Sequence, residues 1–527
     1  MQLAMTFPYL FRCAMHTHPN KVALKEDESG EQWTFGDIAS RANRLSRALV
    51  ALGIGARDRV AILSRNTPFF VEQYYAITQI GAVAVPLNFR LTAFELGTQL
   101  GDARPIAVIF DSEFFDLVKQ LQNLNNMVKY WIGSDSQDPS IVGYQKLMRS
   151  EHDDTDLPFH NLTADAPCAI LFTAGTTGRA KGAVRSHQAV VWTIFSYALG
   201  LKTDAESVYV GVPPFFHIAG SECTLFPVLM QGGTAITMRH FEASRFLHVV
   251  ESERATHLFV VPSMAIQLLQ QDWEPYDLRS VKVWFSASAP LPSVIRESLR
   301  QSLPGISLIN GIGSTEASPI ANLTTEYMDG KPGHCVGKSW LGSEVAVMDD
   351  LGNMVPANVV GNLAVQTMGT MTGYLDNEEA TTKAFTGSWY LTGDLAFKDA
   401  DGFVHLVDRK RDMIISGGEN IYAAEVEDAI YRVPGVAEVA VVGKAHPLWG
   451  EVPVAFVVRK VQENVTESDI LAQCHTHLAS YKTPKEIIFV DSLPRNTFGK
   501  VMKWQLRDHY RMRGEVDNNG HIDSATV

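Results

Sequence analysis

The sequence has few cysteines, and their spacing forms no recognisable pattern. The five positions, none of which makes a C-x-x-C pair, are Cys13, Cys168, Cys223, Cys335 and Cys474. An odd number of scattered cysteines argues against a disulfide framework and against a zinc site. We therefore expect a protein of a reducing compartment.

Long apolar runs are also missing. The most apolar stretch, residues 69–87, is interrupted by Glu72, Gln73 and Gln79, whereas a membrane-spanning helix needs about 20 mainly apolar residues. The first residues lack a basic segment followed by an apolar one, so we predict no secretory signal. We expect a cytoplasmic protein without a transmembrane segment.

Positive charge is in deficit. Lys and Arg number 45 and Asp and Glu number 58, which gives a net charge of −13 at pH 7. Such an acidic balance argues against nucleic acid or an anionic membrane as the main partner. It leaves room for a local basic cleft that binds phosphates.

The sequence does contain an alternation of short apolar runs and amphipathic segments. Ile38, Ala42 and Leu45 recur at helical spacing, and short buried strands are predicted at 60–63, 81–86, 107–110, 257–261 and 281–285. This alternation predicts an α/β chain with largely parallel sheets. Because one core rarely grows past about 250–300 residues, the 527 residues predict at least two domains.

The pattern changes in the last third of the chain. From about residue 340, short strands separated by turn residues predict a small β-rich subdomain. After Arg411 a compact α/β unit is predicted, with helices at 424–432 and 467–478 and strands at 436–442, 452–458 and 486–490. We place an N-terminal domain at 1–410 and a C-terminal domain at 411–527, with a disordered tail from about residue 514.

A loop rich in glycine and threonine follows the predicted strand 168–172. It reads Thr173, Ala174, Gly175, Thr176, Thr177 and Gly178, and Lys181 lies just beyond it. Glycines let backbone N–H groups approach an anion, and hydroxyls add donors, so the loop is a candidate phosphate site. It is not a Walker A loop, because Ala180 rather than glycine precedes Lys181. Taken alone, an ordinary tight turn explains it as well.

Four further motifs follow in order. Residues 310–316 end in Glu316, a hard oxygen ligand suited to Mg²⁺, although a loop before an N-capped helix would read the same way. Asp394, after Thr-Gly, could accept hydrogen bonds from a ribose or be a turn aspartate. Residues 408–412 form a basic run before the loop 416–420, and Lys500 follows a glycine turn. A solvated patch and a surface lysine are the plain alternatives.

In this order and spacing, the five motifs closely resemble those of the acyl-adenylate-forming superfamily. It includes acyl-CoA synthetases, aryl-CoA ligases, peptide-synthetase adenylation domains and beetle luciferases. The resemblance runs from about Trp33 to Lys500 and is closest to the acyl-CoA synthetase branch at 373–394 and 408–421. It implies an α/β fold: a large N-terminal domain of two α/β subdomains plus the small β-rich subdomain, and a small mobile α+β C-terminal domain.

The resemblance also implies the residues that hold ATP or AMP. They are Thr173, Ala174, Gly175, Thr176, Thr177, Gly178, Lys181, Ser288, Ala289, Asn310, Gly311, Ile312, Gly313, Thr315, Asp394 and Arg409. Thr173 and Glu316 match positions that bind Mg²⁺. Lys500 matches the catalytic lysine that bridges the carboxylate and the α-phosphate, where a positive charge stabilises the transition state.

A second half-reaction with coenzyme A is implied for the C-terminal domain. After pyrophosphate leaves, this domain rotates about a hinge at Arg411. The loop of Ser416, Gly417, Gly418 and Glu419 then lines a pantetheine tunnel. The thiolate attacks the acyl-adenylate and expels AMP, which chiefly requires positioning and exclusion of water.

The acid pocket is the least typical part of the resemblance. Its candidate residues are His217, Gly220, Glu222, Ala287, Ser288 and Gly311. His217 matches a catalytic gate beside the reacting carboxylate, with a core histidine as the alternative. Glu222 would bind a hydroxyl or cation of the substrate, or face solvent. Ala287 and Ser288 replace glycines, and Ile312 replaces an aromatic residue that stacks on adenine.

The function implied is an ATP-dependent acid–CoA ligase that forms acyl-CoA, AMP and pyrophosphate. Branch resemblance favours a medium- or long-chain aliphatic acid. The alternatives are an aryl or polar acid–CoA ligase, an enzyme that loads a carrier protein, and, more remotely, a luciferase-like oxidoreductase. ATP, Mg²⁺ and coenzyme A are the expected ligands, and a homodimer is a common assembly for such enzymes.

Overall fold

The computed structural model describes residues 4–125, 127–133, 138–149, 154–157, 162–173, 180–289, 291–409, 412–416, 419–460, 463–495 and 501–507. The predicted disordered tail, from about residue 514, lies outside these ranges. In the described ranges, none of the helices combines the length and the hydrophobicity that a membrane-spanning segment needs.

The helices lie along the whole chain. Numbered α1 to α14, they span Phe7–Thr17, Phe35–Ala51, Pro68–Gln79, Ala93–Ala103, Phe115–Leu124, Tyr144–Arg149, His187–Gly200, Phe226–Met230, Ala243–Ser252, Pro262–Leu269, Ser293–Ser302, Glu378–Ala384, Ala423–Tyr431 and Glu467–His477. A π-helical turn, Ser221–Leu225, leads into α8.

The strands alternate with these helices as far as the middle of the chain and then follow one another. Numbered β1 to β27, they span Val22–Glu26, Gln32–Thr34, Arg59–Leu63, Val83–Pro86, Ala107–Phe110, Tyr130–Gly133, Ile141–Gly143, Pro167–Thr173, Lys181–Ser186, Val208–Gly211, Thr234–Thr237, His257–Phe259, Val283–Ser286, Ser307–Ile312, Ala321–Thr324, Cys335–Ser339, Ser343–Met348, Gly361–Thr367, Gly373–Tyr374, Phe385–Thr386, Trp389–Lys398, Val404–Arg409, Ile414–Ser416, Glu419–Ile421, Val436–His446, Gly450–Arg459 and Glu486–Phe489.

Two large sheets build the N-terminal part. One has eight strands in the order β19-β9-β8-β4-β3-β5-β6-β7, parallel from β8 to β7. The other has 14 strands, with a parallel centre β14-β13-β12-β10-β11-β1. Helices cover these sheets, as expected for parallel strands joined by helical crossovers. The prediction of an α/β chain with parallel sheets is confirmed.

The β-rich subdomain is an antiparallel extension of the larger sheet. Strands β17, β18, β21 and β22 follow one another, β22 pairs with β16, and β15 joins β16 to β14 at the edge of the parallel centre. It has a hydrophobic core of its own, in which Val345, Leu363 and Val404 are buried.

A separate five-stranded sheet, formed by β23 to β27, carries the C-terminal part. Its core includes Ile414, Val426 and Ile470, so α13 and α14 pack on this sheet. The large N-terminal and small C-terminal domains are as predicted. The two helices and three strands predicted between 424 and 490 correspond to α13, β25, β26, α14 and β27. The boundary at 408–412 stays a prediction.

Helix α2 illustrates how local sequence fixes an element. Thr34 accepts a hydrogen bond from the Asp37 N–H at 3.1 Å, and the Asp37 carboxylate accepts one from the Thr34 N–H at 2.8 Å. This capping box satisfies two N–H groups at the helix start. Ile38, Leu45 and other apolar residues at helical spacing are buried. Gly53, with φ +83°, follows the end of the helix in a conformation that favours glycine.

Candidate active site

The predicted phosphate loop joins two antiparallel strands. Thr173 at the end of β8 pairs with Lys181 at the start of β9, and the Thr173 hydroxyl donates to the Lys181 carbonyl at 3.3 Å. Both ends of the loop are thereby held side by side. The predicted phosphate-binding residues Ala174, Gly175, Thr176, Thr177 and Gly178 lie outside the described residues.

Tyr374 brings Lys181 and Glu316 to the same place. The Lys181 Nζ atom lies 5.0 Å from the centroid of the Tyr374 ring, within the range of a cation–π contact. The Tyr374 hydroxyl donates to Glu316 Oε1 at 2.9 Å. Strand β19 fixes the ring, because Tyr374 pairs with Ala183 of β9. The candidate lysine and the candidate metal ligand are thus assembled around one phenol.

Sequence reasoning did not assign a role to Tyr374. It lies in a stretch that supported only the branch resemblance, and nothing in that stretch indicates that β19 would pair next to Lys181. Burial, together with the nearby Glu316 carboxylate, raises the pKa of the Tyr374 phenol above its usual value. The hydroxyl therefore stays a donor throughout the physiological range.

Glu316 lies in an irregular segment after β14. Its carbonyl accepts a hydrogen bond from the Met371 N–H at 2.7 Å, and the next residue, Ala317, forms a β-bridge with Thr370. The segment continues to β15, so the alternative reading of Glu316 as the first turn of an N-capped helix is wrong. Glu316 is therefore held by hydrogen bonds at both its backbone carbonyl and its half-buried carboxylate.

The donors present fit Mg²⁺ bound together with phosphates rather than in a protein cage. Among the described residues, no group of three or more His, Cys, Asp or Glu side chains could hold a metal. Mg²⁺ typically takes one or two carboxylates, with phosphate oxygens and water completing the shell. The single carboxylate of Glu316, beside Lys181, fits that mode. Binding of Mg²⁺ by the Thr173 hydroxyl stays a prediction.

Two buried polar groups face each other at the carboxyl ends of β13 and β14. Ser286 pairs with Asn310, their exposed fractions are 0% and 1%, and neither Ser286 Oγ nor Asn310 Nδ2 has a hydrogen-bond partner within the described ranges. Unpaired buried donors are costly. Ligands of parallel α/β sheets bind at this end of the strands, so a polar edge of a ligand fits here.

Residues at the end of β14 and just after it complete the nucleotide-side candidates. Gly311 is tightly enclosed, since an added Cβ would lie 2.7 Å from the Phe285 ring. Ile312 is half-buried and Thr315 is buried. An added Cβ at Gly313 would lie 2.8 Å from Ser318 Oγ. A side chain at Gly311 would therefore collide with the Phe285 ring, and one at Gly313 would displace the side chain of Ser318.

Ser288 has a left-handed backbone. Its φ is +76°, a conformation that favours glycine, and its side chain is exposed. The neighbouring candidates differ, since Ala287 is buried and Ala289 is half-buried. Non-glycine residues in this region often mark functional sites. The substitution of a family glycine here thus retains the glycine-like geometry.

The candidate ribose contacts lie opposite each other on neighbouring strands. Asp394 of β21 pairs with Arg409 of β22, and the Asp394 N–H donates to Thr392 Oγ1 at 3.1 Å. Asp394 is half-buried, and the side chain of Arg409 lies outside the described part. Direct pairing of the two backbones explains how residues 15 positions apart can serve one ligand.

His217 precedes a tight turn on the acid side. The Ala219 N–H donates to His217 Nδ1 at 3.3 Å, and burial lowers the pKa of the imidazole to about 4. The ring is therefore neutral near pH 7. Gly220 is required in this turn, since an added Cβ would collide with the carbonyl oxygens of Pro213 and Pro214.

Glu222 does not face solvent, and that alternative is wrong. Its side chain is 0% exposed, and its carboxylate pairs with Arg185, which is also 0% exposed, at 2.8 Å. Arg185 was not singled out from the sequence, because the two residues are 37 positions apart and no periodicity relates β9 to the π-helical turn. The charge of Glu222 is thus neutralised inside the protein.

The C-terminal candidates lie largely outside the described residues. Arg411, Gly417, Gly418 and Lys500 are all outside. Ser416 and Glu419, the first and last residues of the predicted pantetheine loop, pair with each other across β23 and β24. Arg495 and Val501, the described residues on either side of the segment with Lys500, form a β-bridge.

Comparison with known proteins gives consistent matches over most of the chain. Residues 11–375 match a family model described as AMP-binding enzyme, and residues 425–500 match one described as AMP-binding enzyme C-terminal domain. Feruloyl-CoA synthase of an Amycolatopsis species is 33% identical over 494 residues, which cover 93% of this chain and 96% of that protein.

Two further proteins are similar over nearly the full length. Long-chain-fatty-acid–CoA ligase FadD13 of Mycobacterium tuberculosis is 32% identical over 507 residues, which cover 95% of this chain and 98% of that protein. The ATP-bound structure of MatB from Rhodopseudomonas palustris has a TM-score of 0.85 at 29% identity, covering 96% of this chain and 99% of its own. The chain therefore belongs to the AMP-binding enzyme family and lies in its acyl-CoA synthetase branch.

Proposed function

We propose that this enzyme is an ATP-dependent acid–CoA ligase. A carboxylate and ATP give an acyl-adenylate and pyrophosphate, and the acyl-adenylate and coenzyme A then give acyl-CoA and AMP. The observation that carries the proposal is the assembly of Lys181 and Glu316 around Tyr374, at the exit of the phosphate loop. The names of the two curated relatives and the ATP in the similar structure support it.

The first step joins two anions, so it depends on charge and positioning. Lys181 offsets phosphate charge, and Glu316 would hold Mg²⁺, which supplies further positive charge to the phosphates when bound. The ribose would contact Asp394. We assign Lys500, from the resemblance, the bridge between the carboxylate and the α-phosphate. Aligning the two reactants is the protein's main contribution.

His217 would border the reacting carboxylate as a neutral group. With a pKa lowered to about 4, its ring does not add a positive charge to the site near neutral pH. Since Nδ1 accepts from the Ala219 N–H, Nε2 carries the proton and is the donor of the ring. We therefore propose a role in orientation and gating rather than proton transfer.

The aromatic packing beside Gly311 favours a compact acid as the substrate. Tyr197 of α7 lies 4.7 Å from Trp340 and 5.7 Å from Phe285, measured between ring centroids. All three side chains are buried and occupy the space between α7 and the sheet. We therefore propose an aryl or short acid as a candidate beside the medium- or long-chain aliphatic acid that branch resemblance favours.

A positively charged acid is not favoured. Glu222 was the candidate for binding a substrate cation, and its carboxylate already pairs with the Arg185 guanidinium. A second cation would have to compete with this charge-assisted contact, which is buried inside the protein. We propose an acid without an ammonium group near the carboxylate.

Hydroxylamine trapping tests the function and the acid class together. The protein is incubated with ATP, Mg²⁺, hydroxylamine and one acid from a panel of aryl, short-chain and long-chain acids, and hydroxamate is measured. We expect acid-dependent hydroxamate with compact acids, and acyl-CoA when coenzyme A replaces hydroxylamine. Strong activity with long-chain acids alone would contradict the compact-acid proposal, and no hydroxamate with any acid would contradict adenylation.

A further inference from the structure

The ion pair between Arg185 and Glu222 is the most completely bonded charged contact beside the candidate site. The guanidinium Nη2 lies 2.8 Å and Nε 2.9 Å from Glu222 Oε2, and Nε lies 3.2 Å from Oε1. Both side chains are 0% exposed. Removal of one partner would leave a buried charge without compensation.

The remaining donors of Arg185 reach three other segments. Nη1 donates to the carbonyls of Thr315 at 3.0 Å and Gly369 at 3.1 Å. Nη2 donates to Thr193 Oγ1 at 2.8 Å and the Ala189 carbonyl at 3.3 Å, both in α7. Every N–H direction of the guanidinium is used, so its position is fixed by its surroundings.

These partners belong to the parts of the site that must meet in adenylation. Arg185 lies four residues after Lys181 on the same strand. Thr315 directly precedes Glu316, and Glu222 lies in the turn that begins after His217 and Gly220. The buried Arg185–Glu222 pair therefore connects the turn after His217 to the strand that carries Lys181 and to the segment that carries Glu316.

We propose that Arg185 and Glu222 are positioning residues that hold the acid carboxylate in register with the α-phosphate of ATP. This inference rests on the proposed function. A buried ion pair is often no more stabilising than an apolar pair of similar volume. Its value at this place is the fixed position of a guanidinium whose five N–H groups all have acceptors, which aligns the turn of Glu222 with three other segments of the chain.

The two half-reactions depend differently on that register. Adenylation joins two separately bound reactants, so a small displacement of one relative to the other is costly. In the acyl-adenylate the acyl group and the phosphate are already covalently joined. Attack by the thiolate on supplied acyl-adenylate therefore depends much less on the alignment of the acid-side turn with the ATP-side loops.

The test compares the half-reactions in variants of the full-length protein. We propose Glu222→Gln, which keeps the shape, and the double variant Arg185→Met with Glu222→Leu, which removes both charges. Adenylation is measured as acid-dependent ATP–pyrophosphate exchange, and thioesterification as acyl-CoA formed from synthetic acyl-adenylate. We expect adenylation to fall by about tenfold to a hundredfold in the double variant, less in Glu222→Gln, and thioesterification to change little in both.

A matched control is Glu72→Gln. Glu72 is also 0% exposed and pairs with an arginine, Arg41, at 2.8 Å, but it joins α3 to α2 rather than the site loops. We expect this variant to change both half-reactions by the same factor. Thermal unfolding of each variant gives the folded fraction used to normalise the rates.

The outcomes separate this inference from the function on which it rests. Equal losses in both half-reactions for Glu222→Gln and the double variant, as in the control, would overturn the positioning role while leaving the ligase function intact. Unchanged adenylation in both would overturn it too. If the unaltered protein shows neither half-reaction with any acid of the panel, the proposed function fails, and the inference fails with it.

Discussion

At the scale of single residues, His187 is a buried histidine whose protonated form is destabilised by its surroundings. Its side chain is 0% exposed, and neither ring nitrogen has a hydrogen-bond partner among the residues described. Burial lowers its pKa to about 4, while the unfolded chain has a value near 6.5. The unfolded state thus binds more protons between these values, so stability falls as the pH drops from about 6.5 to 4.

Replacement of His187 by an apolar residue should reduce this loss. For a pKa difference of about 2.5 units, the linked free energy is roughly 3 kcal/mol at the acid end of the window. We expect His187→Leu to flatten the dependence of unfolding free energy on pH between 6.5 and 4, measured by urea denaturation. A pH dependence as steep as that of the unaltered protein would mean that His187 does not titrate with a lowered pKa.

Ser288 offers a test of stored backbone strain. A non-glycine residue in the left-handed region costs about 1 kcal/mol, and its φ is +76°. Because glycine also gains entropy in the unfolded chain, we expect Ser288→Gly to stabilise the protein by roughly 0.5 kcal/mol. The control Ser298→Gly, inside α11, should destabilise it by a similar amount. Loss of stability in both variants would contradict strain at Ser288.

At the scale of elements, the short strand β19 brings a side chain into the site from a distant part of the sequence. Tyr374 contacts Lys181 through its ring and Glu316 through its hydroxyl. The strand has only two residues, and its pairing with β9 gives the phenol its position. A strand of two residues adds little stability of its own, and its contribution to the site is the position of Tyr374.

Tyr374→Phe and Tyr374→Leu separate the two contacts. Phenylalanine keeps the ring near Lys181 and removes the hydrogen bond to Glu316, which is worth about 1 kcal/mol. We expect the KM for ATP to rise by about fivefold in Tyr374→Phe and further in Tyr374→Leu, which also loses the cation–π contact. An unchanged KM for ATP in both variants would show that this cluster does not serve the nucleotide.

The sequence predicted those elements whose signal is local. The strand at 107–110 is found as β5, because an apolar run of this length is too short for a typical helix and favours a strand. The alternative reading of Glu316 as part of the first turn of a helix is wrong, because the segment is instead held by contacts to Thr370 and Met371 across the subdomain. The local sequence alone could not show that these tertiary contacts would override helix formation.

The same distinction applies to the site. Lys181 and Glu316 could be proposed from motif order, and Asp394 and Arg409 from resemblance. The roles of Tyr374 and Arg185 depend on strand pairing and on a turn folded against a sheet, which no linear pattern records. The solvent-facing alternative for Glu222 failed for this reason, since its burial is set by a partner on β9.

At the scale of the whole molecule, the two domains have separate hydrophobic cores. The C-terminal core around Val426 and Ile470 is distinct from the N-terminal clusters, which is what movement of a domain as a unit requires. The segment after Lys500 is tied to the C-terminal domain, since Lys503 pairs with Glu427 at 2.8 Å and Arg507 with Asp412 at 2.8 Å. We therefore expect Lys500 to travel with this domain.

The last prediction concerns the proposed hinge at Arg411. Proline fixes its own φ and restricts the residue before it, so Arg411→Pro should limit rotation of the C-terminal domain. We expect ATP–pyrophosphate exchange to be retained and acyl-CoA formation from supplied acyl-adenylate to fall by about tenfold or more. Arg411→Ala removes the same side chain without stiffening the backbone and should spare both reactions. Lys500→Ala should do the reverse of the proline variant, losing exchange and keeping thioesterification. Because Arg411→Pro and Lys500→Ala are expected to lose opposite half-reactions, a general loss of stability cannot produce both results. Loss of adenylation alone in Arg411→Pro would contradict a hinge at this residue.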